Sequence, residues 1–197
     1  MSIDIAAKAV VEGMPDKDRD TWITMVAIFG AESGYKLWAP GDHLSIFSPA
    51  DQIKYEPYAC NGYLSHGLGQ VFLGVHHAMV AEMSDMDRPC ALAEWLYDPD
   101  NNVRACAAIY ANSNGFTPWY TFNGGQYRAF IPQATIAVDA VLTPPVVPPP
   151  TLPMVVSIAE DGEEVYLTFD NNDHWVLTRK NPRFEDGILT FDVKPRT

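Results

Sequence analysis

Glu32 stands at the end of a stretch that is apolar on nearly every side, and a carboxyl group so placed has a definite chemistry open to it. The stretch Trp22-Ile23-Thr24-Met25-Val26-Ala27-Ile28-Phe29 reads as a helix buried all round rather than amphipathic. It runs directly into Gly30-Ala31-Glu32-Ser33-Gly34. Partial withdrawal from water penalises the ionised form of a carboxyl and raises its pKa. A glutamic acid still protonated near neutrality can hand its proton to a leaving oxygen. Gly30 and Gly34, on either side, leave space for backbone or substrate to come close. The plainer alternative is a helix-terminal glutamate facing water. Ser33 lacks the strand–turn–helix setting of a nucleophile elbow. His66, His76 and His77 lie close together, but neither an H-E-x-x-H pattern nor a carboxylate partner accompanies them, so neither metal nor cofactor is expected.

The elements that must position Glu32 are mostly helical. Residues 3–12 read as a short helix closed by Gly13, and Asp16, Asp18 and Asp20 crowd the next helix start, where carboxylates suit the free N–H groups. Residues 35–64, rich in Gly, Pro, Tyr and Asp, read as irregular. Helix is expected again over 69–83 and 91–97. Asp98-Pro99 is a start signal, with Asp as N-cap and Pro at the first helical position, for a helix to about residue 111. Thr117-Pro118-Trp119-Tyr120 opens an aromatic loop, Gly124-Gly125 breaks it, and residues 127–141 close the domain as helix. Residues 143–153 hold six prolines in eleven positions and cannot be helix or central strand. They should form a stiff polyproline II spacer, about 30 Å long at roughly 3.1 Å per residue. Beyond it the period changes to two, with four short strands over 154–158, 164–169, 175–178 and 188–193 set apart by Asp161-Gly162, Asn171-Asn172-Asp173 and Asp186-Gly187. The expected fold is therefore α+β. A mainly helical domain (1–142) is followed by a proline-rich linker (143–153) and a small antiparallel β module (154–197), which is too small to rely on its own core. Cys60, Cys90 and Cys106 make an odd, sparse set that reads as buried thiols, although one pair could bridge in an oxidising compartment.

Four stretches resemble one known family. Ala31-Glu32-Ser33-Gly34 after a buried helix is similar to the E-S-G/E-S-x signature of soluble lytic transglycosylases and goose-type lysozymes. Ser65-His66-Gly67-Leu68-Gly69-Gln70 resembles that group's S-x-G-L-x-Q element. Asp98-Pro99-Asp100-Asn101-Asn102-Val103 resembles its D-P-x-x-N-[IV] helix. Phe116-Thr117-Pro118-Trp119 and Gly124-Gly125-Gln126-Tyr127 look like the closing segment of lysozyme-like domains in phages of actinobacteria. The stretches occur in the family's order over roughly residues 15–140. One departure stands out. The distance from Glu32 to Ser65 is longer than is usual in the family, so residues 38–63 should add a flap or hairpin over the cleft.

The resemblance implies a lysozyme-like domain that cuts the MurNAc–GlcNAc bond of peptidoglycan, with Glu32 as general acid and then base. It implies that Ser65 and Gln70 hold sugar groups, that Gly67 and Gly69 allow backbone approach, and that Tyr110 stands near the acid. Trp119 would stack on a sugar ring or simply fill the core, and Ser33 and Leu68 would complete the lining. Two-acid glycosidases need a second carboxylate. Asp42, Asp51 and Glu56 lie in the added stretch, and no spacing selects among them. Hydrolysis by water and lysis by the substrate's own hydroxyl, which yields an anhydro sugar, both stay open, with a lean to the lyase. The formal charge of −12 argues against a nucleic-acid partner and suits delivery by a larger particle better than unaided capture by an anionic wall. No apolar run long enough to span a membrane is present, and no secretion signal is visible. The expected setting is a phage tail, with residues 143–197 docking onto tail proteins. The alternatives are an endolysin acting late in infection, and an inactive structural or wall-binding protein on the same fold.

Overall fold

A computed structural model describes residues 3–143 in full and the backbone of residues 155–161, 164–169, 174–185 and 188–195. The chain divides into two compact units, Met1–Pro145 and Val146–Thr197. The division falls within the stretch read as a spacer; residues 144–153 of that stretch, and with them the expected polyproline II conformation, lie outside the described residues.

The first unit is a helical domain around a small antiparallel sheet. Helix α1 (Ile3–Gly13) and helix α2 (Arg19–Ser33) come first. Asp18 caps α2 by accepting the Thr21 N–H at 2.8 Å, which marks the one N-cap among the three crowded aspartates. Strand β1 (Pro40–His43) follows, then helix α3 (Pro49–Tyr55), strand β2 (Tyr63–His66) and strand β3 (Val71–Phe72). Helices α4 (Leu73–Ser84), α5 (Pro89–Trp95), α6 (Pro99–Asn112), α7 (Tyr120–Asn123) and α8 (Ile131–Leu142) complete the unit. Among the described residues no helix is long and apolar enough to cross a membrane.

Helix α2 is the hub. Met25, Val26, Ala27, Ile28 and Phe29 are all fully buried, because α1, α7, α8 and the 3-10 turn Gln126–Phe130 pack around them. Burying each of the larger side chains stabilises the fold by about 2 kcal/mol. This packing is why the stretch shows no amphipathic period. At its far end Gly34 takes a left-handed conformation (φ 62°) and its N–H returns to the Gly30 carbonyl at 3.0 Å, a glycine C-cap. That is what Gly34 is for; it does not open a path for substrate.

Two expectations for the middle of the chain are corrected. Residues 35–64 are not irregular: β1 and β2 form a hairpin in register Gly41 opposite Ser65, and α3 sits in its long connection. Ser48 caps α3 and Pro49 starts it, a signal masked by the aromatic and charged residues around it. Phe47, Tyr55 and Phe72 pack on one another with ring centroids 5.3–6.0 Å apart, which anchors the insertion to β3. Nor does helix begin at Gly69. Residues 69–72 form a turn and β3, which pairs Ser65 with Phe72, and helix starts only at Leu73.

The second unit is a four-stranded antiparallel meander. Strands β4 (Val155–Asp161), β5 (Glu164–Phe169), β6 (His174–Glu185) and β7 (Ile188–Pro195) lie in sequence order. Strand β6 runs well past Thr178, where the alternation read from the sequence stops. The register shifts between Thr178 and Arg183, and Pro182 falls in that interval, which is where a strand tolerates a residue without an N–H. Of the expected turn residues, Gly162, Asn171-Asn172-Asp173 and Asp186-Gly187 lie outside the described residues, while Asp161 ends β4.

Candidate active site

The last turn of α2 opens onto a cleft of about 700 Å³. Glu32 lines it from the helix side. Asp42 and Ser65 line it from the β hairpin, Phe72, Val75 and His76 from β3 and α4, and Trp119, Tyr120 and Thr121 from the loop into α7. Glu32 is half-buried. Burial raises its carboxyl above the usual range, two hydrogen bonds from Thr121 pull against that, and the nearby charge of Asp42 adds to the rise. The Thr121 hydroxyl donates to Glu32 Oε1 at 2.6 Å and the Thr121 N–H approaches the same oxygen at 3.4 Å. A further physical cause acts in the same direction as burial. Glu32 is the penultimate residue of α2, where the negative end of the helix disfavours a carboxylate.

Among the described residues no Lys or Arg is bonded to Glu32. The one histidine in the cleft wall, His76, has its imidazole pKa lowered by burial. The site is thus an acid facing water-accessible space with a hydroxyl donor on one oxygen. Among the described residues no three His, Cys, Asp or Glu side chains gather where they could hold a metal ion.

The structure brings together Glu32, Ser65, Gly69, Gln70 and Trp119, and it moves several other expected residues out of the cleft. Ser33 is buried and its hydroxyl donates to the Phe29 carbonyl at 3.0 Å. Leu68 is wholly in the core. Tyr110 is not in the cleft wall: it packs edge-on against Phe116 at 4.8 Å, with the Lys17 ammonium 5.8 Å from its ring centre. Gly67 (φ 78°) does not admit substrate. A Cβ there would strike the Asn102 amide and the Leu96 carbonyl, so the residue is glycine to let the β2–β3 turn lie on α6. Gln70 does line the cleft, but its amide N–H groups donate to the carbonyls of Ala39 (2.8 Å) and Gly67 (2.9 Å). Those donors brace the turn and are not free for a sugar. Trp119 is only 5% exposed and its indole N–H donates to the Gly69 carbonyl at 3.0 Å, so its bulk belongs to the core. The open aromatic face beside it is Tyr120, at 78% exposure.

Three further residues have clear roles that the sequence reading did not assign to them. Thr121 is one. Asn102 is another: fully buried, it accepts the Gly69 N–H at 2.9 Å and donates to the carbonyls of His66 (3.1 Å) and Leu96 (2.9 Å). It thereby ties the Ser65-His66-Gly67-Leu68-Gly69-Gln70 turn to α6, and links two of the stretches that the sequence set side by side only by their order. His66 is the third. Its ring is buried, which pushes its pKa down to about 4, so it is a neutral packing residue beside Tyr97 and not part of the cleft wall. Of the candidate second carboxylates, Asp51 accepts the Ser48 hydroxyl at 2.7 Å within the α3 cap, and Glu56 opens the 3-10 turn Glu56–Tyr58. Neither lines the cleft; Asp42 does.

Comparisons with protein-family models, curated proteins and solved structures return no match to this chain.

Proposed function

We propose that the first unit cleaves peptidoglycan glycan strands at the MurNAc–GlcNAc bond, with Glu32 protonating the bridging oxygen as the general acid. The observation that carries this reading is the half-buried Glu32 carboxyl, held above its ordinary pKa, at the mouth of a sugar-sized cleft. General acid catalysis needs a protonated donor, and burial shifts Glu32 toward that form. The cleft is open, and Glu32 is held by Thr121 and not by a cation; both features favour an active enzyme over a wall-binding protein with a closed groove. The exposed ring of Tyr120 offers a flat apolar surface for a pyranose face. The test is release of soluble muropeptides from purified walls. The parent protein releases them, and Glu32→Gln, nearly the same shape without the transferable proton, reduces release by at least about 100-fold. A Gln variant as fast as the parent removes Glu32 from the mechanism.

The setting we propose is a phage tail, where the enzyme would open the wall locally during entry and the β unit would dock onto tail proteins. It rests on the resemblance of residues 116–127 to phage lysozyme-like closing segments. Mass spectrometry of purified particles decides it: presence in the virion supports the tail, and absence leaves a late-acting lysin.

A further inference from the structure

An acid that cleaves a glycosidic bond leaves a second task, activation of whatever attacks the anomeric carbon, and the hairpin places one further carboxylate in the same cleft. We propose that Asp42 is the general base of this cleft, taking a proton from an attacking water, so that the products are hydrolysed sugars and not anhydro sugars. This rests on Glu32 being the acid.

Three carboxylates enter with the insertion, and only Asp42 faces the same cleft as Glu32. The β1–β2 register sets Gly41 opposite Ser65, and the Ser65 hydroxyl donates to Asp42 Oδ2. That bond fixes the carboxylate's direction and leaves Oδ1 with its lone pairs for a water. Asp42 is exposed to solvent, so water reaches it. Its backbone lies in the left-handed region (φ 52°), which costs a residue with a Cβ roughly 1 kcal/mol. Such conformations concentrate at functional sites, and here the consequence is a side chain turned to the cleft at the end of a strand. The charge of Asp42 also favours the protonated form of Glu32. In the step itself the C1–O bond breaks as Glu32 gives its proton to the departing oxygen. The water oxygen bonds to C1 and its surplus proton passes to Asp42. The net change is one water added across the bond, and proton exchange with solvent restores both groups.

Asp42→Asn separates chemistry from scaffolding, because the amide oxygen still accepts the Ser65 hydroxyl while the base is gone. In the full-length protein the expected result is a fall of about 100-fold or more in kcat with an unchanged unfolding midpoint. Parental fragments should be heavier by one water than anhydro products. Asp42→Ala in sodium azide should regain turnover and yield a glycosyl azide, since azide attacks without needing to lose a proton; a merely structural aspartate would show no such rescue. Parental fragments in the anhydro form, or an Asn variant that retains more than about a third of parental turnover, overturn the base while Glu32→Gln still reports separately on the acid. A folded parent that releases nothing overturns both.

Discussion

Glu32 is held between opposed influences, and their signs give a pH test. Burial and the Asp42 charge favour the neutral acid, while the Thr121 hydroxyl favours the carboxylate. An acid catalyst works while protonated, so turnover should fall as pH rises through the elevated Glu32 pKa. Removing the Thr121 donor takes away a contact that stabilises the charged form. Thr121→Val should therefore carry the alkaline limb of the kcat profile to higher pH, with the optimum rate changed by less than about tenfold. An unmoved limb, or one displaced to lower pH, would show that this hydroxyl does not govern the acid. Linkage runs the same way. A carboxyl with a raised folded pKa subtracts stability as pH climbs from its ordinary value to the elevated one, and the whole penalty is present above that; the valine variant enlarges it. At this scale the sequence made Glu32 legible, because an apolar run ending in a lone carboxyl is a local pattern. Thr121 was not legible, since it meets Glu32 across 89 positions and no nearby residue marks it. Ser33 and Leu68 show the converse: they belong to the motifs that flank the cleft, yet point to the core.

Elements were readable wherever caps and periodicity agreed. Asp98 accepts the N–H groups of Asp100 and Asn101, each at 3.0 Å, and α6 starts where Asp98-Pro99 says it should. The hairpin was hidden because β1 and β2 are four residues each and pair across an intervening helix, so alternation has no length in which to show. Cysteine pairing was hidden for a related reason. Cys60 and Cys90, read as thiols, form a disulfide, while Cys106 is the buried free thiol that all three were expected to be. The bridge ties the stretch just before β2 to the start of α5 and closes a loop over a separation of 30, which by chain entropy stabilises the fold by about 3–4 kcal/mol. Reduction, or the double variant Cys60→Ser/Cys90→Ser, should lower the unfolding free energy by that amount and the denaturant midpoint with it. Hydrogen exchange should quicken first in β1 and β2, whereas the amides of α1, α2 and α8 stay protected. Asp42 rides on β1, so turnover should fall alongside. An equal midpoint with and without reductant would mean the bridge carries no stability here.

At the scale of the whole chain, charge is what remains to be reconciled with the proposed target. The formal charge is −12, and bacterial walls are themselves anionic, so on the proposed function the protein and its target repel at long range. The α+β division, helical unit then β meander, was legible because the hydrophobic period changes from helical to alternating across the proline-rich stretch. The surface consequence of the acidity was legible from composition alone, since it needs no fold. Repulsion of this kind acts through solvent and is screened within a Debye length, about 30 Å at 0.01 M salt and about 8 Å at 0.15 M. The rate of clearing a wall suspension should therefore rise several-fold from about 10 mM to about 150 mM salt, because encounter and not chemistry is being relieved. Cleavage of a short soluble glycan fragment should change far less over the same range, as few charges approach one another. A polycationic wall enzyme would show the opposite slope. Should clearing slow as salt is added, the productive face of the molecule is not the acidic one, and the cleft beside Glu32 and Asp42 would have to be reached through a local basic surface that the net charge conceals.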